Sequence, residues 1–197
     1  MSFLNTLLVF CSLSILSFSN AKADAFFEPS VGYRSESIKL TDKLNNQSKA
    51  TIASPVYGLK FGFRSMMGID VNLAGDYSTG KAKMSPITEE NNYNHTTVAA
   101  QLGISALGLM KIYLGYGFLN ELKIDAGALN SDMKFKGAAY QAGVQFKLVS
   151  DVYAGAQYAI NQFTTVEGKS FAAGSAIDTY YSKVDSQDLI LSLSLVF

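Results

Sequence analysis

The sequence predicts an all-β protein: an eight-stranded antiparallel up-and-down transmembrane β-barrel, preceded by a cleavable signal peptide. Three observations predict it. The last ten residues, Asp188 to Phe197, read DLILSLSLVF, with Leu189, Leu191, Leu193, Leu195 and Phe197 on one face and Asp188, Ile190, Ser192, Ser194 and Val196 on the other. Such alternation marks a strand, because successive strand side chains point to opposite faces. An apolar edge strand like this is an aggregation hazard in water, but it is safe as the closing strand of a barrel in lipid. Second, the same alternation recurs through the chain, separated by connections that run long, short, long, short, long, short, long. Third, hydrophobic content is 48%, yet no uninterrupted apolar run reaches the ~18 residues of a membrane helix.

Strand one is expected over Ala25 to Ser37, with Phe27, Val31 and Tyr33 opposite Glu28, Gly32, Arg34 and Glu36. Pro29 is tolerated near a strand start. A polar loop follows, Ile38 to Lys49. Strand two, Thr51 to Phe63, sets Tyr57, Leu59, Phe61 and Phe63 against Gly58, Lys60, Gly62 and Arg64. After a tight turn at Ser65 to Gly68, strand three takes Ile69 to Ser78, with Val71, Leu73 and Tyr77 opposite Asp70, Asn72, Ala74 and Asp76. A second long loop spans Thr79 to Asn94. Strand four, His95 to Ala106, sets Val98, Ala100, Leu102 and Ile104 against Thr97, Gln101, Gly103 and Ser105.

Strand five, Lys111 to Asn120, carries Ile112, Leu114, Tyr116 and Phe118 against Tyr113, Gly115 and Gly117, and a third loop runs from Glu121 to Ser131. Strand six, Asp132 to Leu148, opposes Tyr140, Ala142, Val144, Phe146 and Leu148 to Ala139, Gln141, Gly143, Gln145 and Lys147. Strand seven, Val152 to Phe163, sets Val152, Ala154, Tyr158 and Ile160 against Tyr153, Gly155, Gln157 and Asn161. The longest loop, Thr164 to Lys183, leads into strand eight. Transmembrane barrels put short turns in the periplasm and long loops outside, so four long and three short connections place both chain termini in the periplasm.

The polar face is rich in Gly, Ala, Ser and Gln, which suits the narrow, side-chain-filled lumen of an eight-stranded barrel. The apolar face carries Phe27, Tyr33, Tyr57, Tyr77, Phe118, Tyr140, Phe146 and Phe197 toward strand ends, as interfacial girdles do. A soluble lipocalin-like barrel, apolar inside, fits these two features less well. The FFEPSVGY opening, the YGLKFGFR second strand and the LSLSLVF terminus resemble the small outer-membrane β-barrel family of the OmpA and OmpX type, without a peptidoglycan-binding domain. That resemblance implies that Leu193, Leu195 and Phe197 form the C-terminal signal read by the barrel-assembly machinery. Unlike many girdles of that family, this chain has no Trp.

Residues 1–23 read as a secretory signal peptide: an apolar core from Leu4 to Phe18, then Ala21-Lys22-Ala23 as an A-x-A site. Cleavage after Ala23 leaves a barrel domain over 24–197, exported across a Gram-negative envelope to the outer membrane. No Lys or Arg precedes the apolar core. The only cysteine, Cys11, leaves with the signal, so the mature chain is expected to have no disulfide or cysteine metal site. One histidine, His95, excludes a histidine-rich metal centre. Charge is balanced, 16 basic against 16 acidic residues, with no basic run to bind nucleic acid.

The lumen face is expected to hold Glu28, Arg34, Glu36, Lys60, Arg64, Asp70, Asp76, Gln101, Gln145, Lys147 and Asp188. Buried charges must be paired, so these read as an internal ion-pair network that plugs the barrel rather than as a pore lining. His95 is expected as a solvated histidine beside the second loop, and Glu89 and Glu90 as solvated loop charge. Lys123, Lys134, Lys136 and Lys183 are candidates to meet lipopolysaccharide phosphates. No nucleophile–base pair, phosphate loop or metal-ligand spacing appears, so no catalytic residue, cofactor or metal is expected, and the chain is not read as an enzyme. The leading expectation is a monomeric structural or surface-interaction barrel in contact with outer-membrane lipid and lipopolysaccharide. A small porin-like channel or OmpW-like solute pathway is the alternative, and a lipid-modifying outer-membrane enzyme the third reading.

Overall fold

Nine strands carry the chain: β1 (Ala23–Asp42), β2 (Gln47–Ser65), β3 (Ile69–Ser85), β4 (Glu90–Ala106), β5 (Met110–Ile124), β6 (Met133–Val149), β7 (Val152–Gly168), β8 (Phe171–Ala176) and β9 (Tyr181–Leu195). The computed structural model describes residues 23–85, 90–106, 108–125, 133–168, 171–176 and 181–197. The expected signal peptide, but for Ala23, and Glu89 lie outside the described residues. Each wall strand pairs antiparallel with its sequence neighbours, and β1 closes the wall by pairing with β9. The eight wall strands are β1 to β7 and β9. β8 pairs with the end of β7 alone, within the segment expected as the longest loop.

The strands run 15–20 residues, well beyond the ~9–11 that cross a bilayer. Much of each expected long loop is therefore strand. The expected loop 38–49 is reduced to residues 43–46, where Asn45 takes φ 64. The expected loop 79–94 is strand to Ser85 and again from Glu90; the expected loop 121–131 is strand to Ile124, and 164–183 begins as strand to Gly168. One end of the barrel has the turns 66–68, 108–109 and 150–151 (the turn end). The other has the β1–β2, β3–β4, β5–β6 and β7–β9 hairpins (the hairpin end).

The reason for the extra length is a second alternation, opposite in phase to the first. On β1 the outward residues Phe27, Val31 and Tyr33 give way to Ser35, Ser37 and Lys39, while inward Glu28, Arg34 and Glu36 give way to Ile38 and Leu40. The other strands repeat this. Ile38, Leu40, Ala50, Ile52, Ala82, Tyr93, Leu122, Ile124, Met133, Phe135, Phe163, Val166 and Val184 form one buried apolar core inside the hairpin end. The turn-end half is thus apolar outside and polar inside, and the hairpin-end half is the reverse, as in a barrel surrounded by water.

Bulges on β5 and β7 make the change of phase possible there. Phe118 and Leu119, adjacent in β5, both face outward, and pairing slips between Gly117 and Asn120. Odd-numbered residues face inward before the slip, Lys111 and Tyr113 among them; even-numbered Asn120, Leu122 and Ile124 do so after it. A second slip, between Lys136 and Gly137, bulges β7 at Thr164 and turns Val166 inward. Extra residues of this kind re-aim side chains. Gly137 at that slip has no room for a side chain, since a Cβ would fall on the Gln162 carbonyl.

The outward apolar band has two kinds of rim. Tyr33, Tyr57, Tyr77, Tyr116, Tyr140 and Tyr158, one on each of six strands, mark its hairpin-end side. Tyr116 and Tyr140 are directly paired, with ring centroids 5.6 Å apart. Phe27, Phe61, Phe63, Phe146 and Phe197 lie toward the turn end. Phe197 exchanges two backbone hydrogen bonds with Phe27, at 2.9 and 3.1 Å, and their rings stand 6.5 Å apart.

Candidate functional site

The barrel interior holds three layers. At the turn end, charges of alternating sign form a chain. Arg64 donates from Nε and Nη2 to the two carboxylate oxygens of Asp70, at 2.8 and 3.2 Å. Lys111 Nζ reaches Asp70 at 2.8 Å and Glu28 at 3.5 Å, and Lys60 Nζ reaches Glu28 at 3.2 Å. Gln145 donates to Glu28 as well. Rings shield the cations: Phe26 lies under Arg64 and Lys111, at 5.3 and 4.8 Å, and Tyr113 under Lys60 at 4.4 Å. Below this chain is a mouth of about 500 Å³, lined by Asp24, Arg64, Ser65, Met66, Met67, Lys111 and Tyr153 among others.

The middle layer is mostly neutral. Gln101 donates to Gln141 at 3.0 Å, and Tyr113 to Gln157 at 3.1 Å; Gln157 donates on to half-buried Asp76 at 3.4 Å. Above it, Arg34 donates to Ser78 at 3.0 Å and pairs with Asp188 at 3.5 Å.

The third layer contains the least expected feature. His95 is fully buried on β4, not a solvated loop residue. Its place is set by strand parity: His95 follows Tyr93 and precedes Thr97 on the inward face, so the Asn-rich flank expected as loop is strand, with Asn91 and Tyr93 inward and Asn92 and Asn94 outward. Its Nδ1 lies 2.9 Å from Glu36 Oε2 and its Nε2 lies 2.6 Å from Asn120 Oδ1. The amide orientations follow from the carboxylate ends. Asn161 Nδ2 donates to Asp188 and Ser186, so its Oδ1 must accept from Asn120 Nδ2, at 3.1 Å. Asn120 Oδ1 is then an acceptor facing His95. Both ring nitrogens are thus engaged by side-chain oxygens, Glu36 on one side and Asn120 on the other. Tyr93 and Ser186 donate to the same Glu36 carboxylate, at 2.7 and 2.6 Å.

Among the described lumen residues there are five acids, Glu28, Glu36, Asp70, Asp76 and Asp188, against four cations, Arg34, Lys60, Arg64 and Lys111. Glu36, His95 and Asp188 offer ligand atoms within 4.8 Å of one another. That grouping does not suit a metal ion, because both imidazole nitrogens are already engaged by Glu36 and Asn120 and Arg34 already faces Asp188.

Of the eleven residues expected in the lumen, the structure brings ten inward: Glu28, Arg34, Glu36, Lys60, Asp70, Gln101, Gln145 and Asp188 are buried, and Arg64 and Asp76 are partly so. Lys147 is the correction. It is exposed, beside the 150–151 turn, because the wall ends there and nothing stands above it. Sequence reasoning missed Lys111, His95, Asn120 and Tyr93 as lumen residues, and placed Asn161 on the polar face of strand seven without naming it in the network. Lys111 shares the parity of Tyr113 and was legible; Asn120 was hidden by the bulge. The lysines expected to meet phosphate at the rim have other partners: Lys123 pairs with Asp125 at 2.7 Å, Lys134 with Glu121 at 2.8 Å and Lys183 with Asp185 at 2.7 Å. Leu193, Leu195 and Phe197 stand on the exposed outer face of the closing seam.

Solved structures share this architecture. Ail of Yersinia pestis is similar over 88% of this chain and 99% of its own, with 15% identity and a TM-score of 0.57. OprG from Pseudomonas aeruginosa is similar over 90% and 98%, with 14% identity and a TM-score of 0.52. Neisserial surface protein A is similar over 88% and 98%, with 14% identity and a TM-score of 0.51. At such identities the likeness is one of fold. No curated protein sequence matches the chain. Residues 8–197 match the model of the outer membrane protein beta-barrel domain, and the chain belongs to that family, as a β-barrel of the outer membrane.

Proposed function

We propose that the protein is a non-conducting, non-enzymatic barrel whose role is structural and surface-interacting, exercised through its outer face and its four hairpins. The observation that carries this reading is the apolar core at the hairpin end. Ile38, Ile52, Leu122, Phe135, Phe163 and Val184 are at most 5% exposed and fill the lumen above a paired polar network. Water has no polar path through such a core, and the charges below are engaged with one another rather than free to coordinate a passing ion. His95, the one imidazole in the chain, is held on both nitrogens and has no access to a substrate, which argues against acid–base chemistry. Leu193, Leu195 and Phe197 serve as the signal for assembly on this reading. The periplasmic mouth at Arg64 and Lys111 favours a second reading, a small channel gated by displacement of the apolar core. Planar-bilayer recording of the refolded mature protein tests the two. The barrel is expected to be silent; reproducible open steps would overturn the plugged reading in favour of the channel.

A further inference from the structure

The outer face of β1–β3 combines two features. The first is a notch in the lipid-facing belt. Gly75 faces outward on β3 between Leu73 and Tyr77, paired with Leu59 on β2 and Val98 on β4. A side chain there would meet nothing within 4 Å. The result is an apolar recess of about 310 Å³, edged by Leu59, Val98, Thr96 and the rings of Tyr57 and Tyr77. It is continuous with the lipid-facing belt, so its occupant is a hydrocarbon chain.

The second feature stands on the same face beyond the tyrosine rim. Lys39 and Lys49 are exposed and directly opposite each other across β1 and β2. Like charges so placed destabilise a sheet. Across β9 the neighbour of Lys39 is Asp185, which is already engaged by Lys183 at 2.7 Å. Lys81 follows Gly75, Tyr77 and Thr79 on the outward face of β3, six residues beyond the notch, or about 20 Å along the strand. Its ammonium donates to the neutral Asn92 side chain at 2.7 Å, so its charge is not cancelled. No acidic side chain faces outward beyond the rim on β1–β3 among the described residues. Unbalanced lysines in this position are completed by an anion.

We propose that this face is a binding site for a multiply phosphorylated glycolipid of the outer leaflet, one acyl chain lying in the Gly75 notch and phosphates held at Lys81 and at the Lys39–Lys49 pair. The proposal is independent of whether the lumen conducts.

The test is thermal unfolding of the full mature barrel, followed by loss of the heat-modifiable gel band. Three membranes are compared: phosphatidylcholine alone, phosphatidylcholine with rough lipopolysaccharide, and phosphatidylcholine with the same lipopolysaccharide dephosphorylated. The wild type is expected to unfold at the highest temperature with the phosphorylated glycolipid. Lys39→Gln/Lys49→Gln should lose most of the phosphate-dependent rise. Gly75→Leu, which fills the notch, should lose the rise that remains with dephosphorylated glycolipid while matching the wild type in phosphatidylcholine alone; Gly75→Ala, which fills little of it, should retain that rise. The proposal is overturned if the wild type shows no glycolipid-dependent rise, or if both variants retain it in full. It is equally overturned if delipidated core oligosaccharide in solution reproduces the whole effect, which would make the partner a soluble anionic glycan.

Discussion

His95 is the residue whose environment most exceeds what its sequence context suggests. It is an imidazole buried between a carboxylate and an amide that is linked through Asn161 to a second carboxylate. Removing it with His95→Ala leaves the buried Glu36 carboxylate without its imidazole partner, a loss of about 3–5 kcal/mol for a broken buried pair. Urea unfolding in lipid vesicles, followed by far-UV circular dichroism, is expected to show that loss. A double variant that also carries Glu36→Gln should recover part of it, since the uncompensated charge is then gone. Lys147→Gln is the contrasting case: the residue is exposed and outside the network, and unfolding should be unchanged.

At the scale of the element, the bulges on β5 and β7 decide which residues line the hairpin-end interior. Gly137→Ala sets a methyl against the Gln162 carbonyl at one of these slips, and overpacking of this kind costs about 1–3 kcal/mol. The same unfolding measurement should detect it, whereas Gly75→Ala, with open space outside, should leave stability unchanged. Alternation in the turn-end halves was plain in the sequence, and residues such as Val31, Leu59 and Leu193 face outward as their parity required. The outer halves were harder to read. Ile38 and Leu40 alternate with Lys39 just as strand residues should, but the polar residues around them resembled a loop, because a strand with water outside and a small core inside has a modest apolar content. Closure of the wall is also an element-scale matter. Deleting Phe197 removes two backbone hydrogen bonds and a ring contact with Phe27, and the folded fraction recovered on refolding should fall.

For the whole molecule, the two halves solve opposite solvation problems with one continuous wall. In the membrane half, lipid lies outside and the charges pair within; in the hairpin half, water lies outside and apolar side chains fill the interior. On the proposed non-conducting reading, the core is both a structural element and a stopper. Phe135→Ala with Phe163→Ala removes two contacting rings, 6.0 Å apart, from its centre. Large-to-small core changes of this type cost about 3–5 kcal/mol each. If the core is what blocks the lumen, this double variant should show intermittent conductance in planar bilayers while the wild type stays silent. Silence in a variant that still folds would place the block in the polar network below.

The sequence by itself determined the strand number, the closing strand, the outward apolar band and ten of the eleven polar positions expected in the lumen, because a period of two is a local property written in neighbouring residues. Only the tertiary structure decided the rest. The bulge that turns Asn120 inward, the relay from Asp188 through Asn161 and Asn120 to His95 and Glu36, and the apolar core drawn from every wall strand depend on how separate strands register. Register is set by the whole closed wall, and no single stretch of the chain contains it.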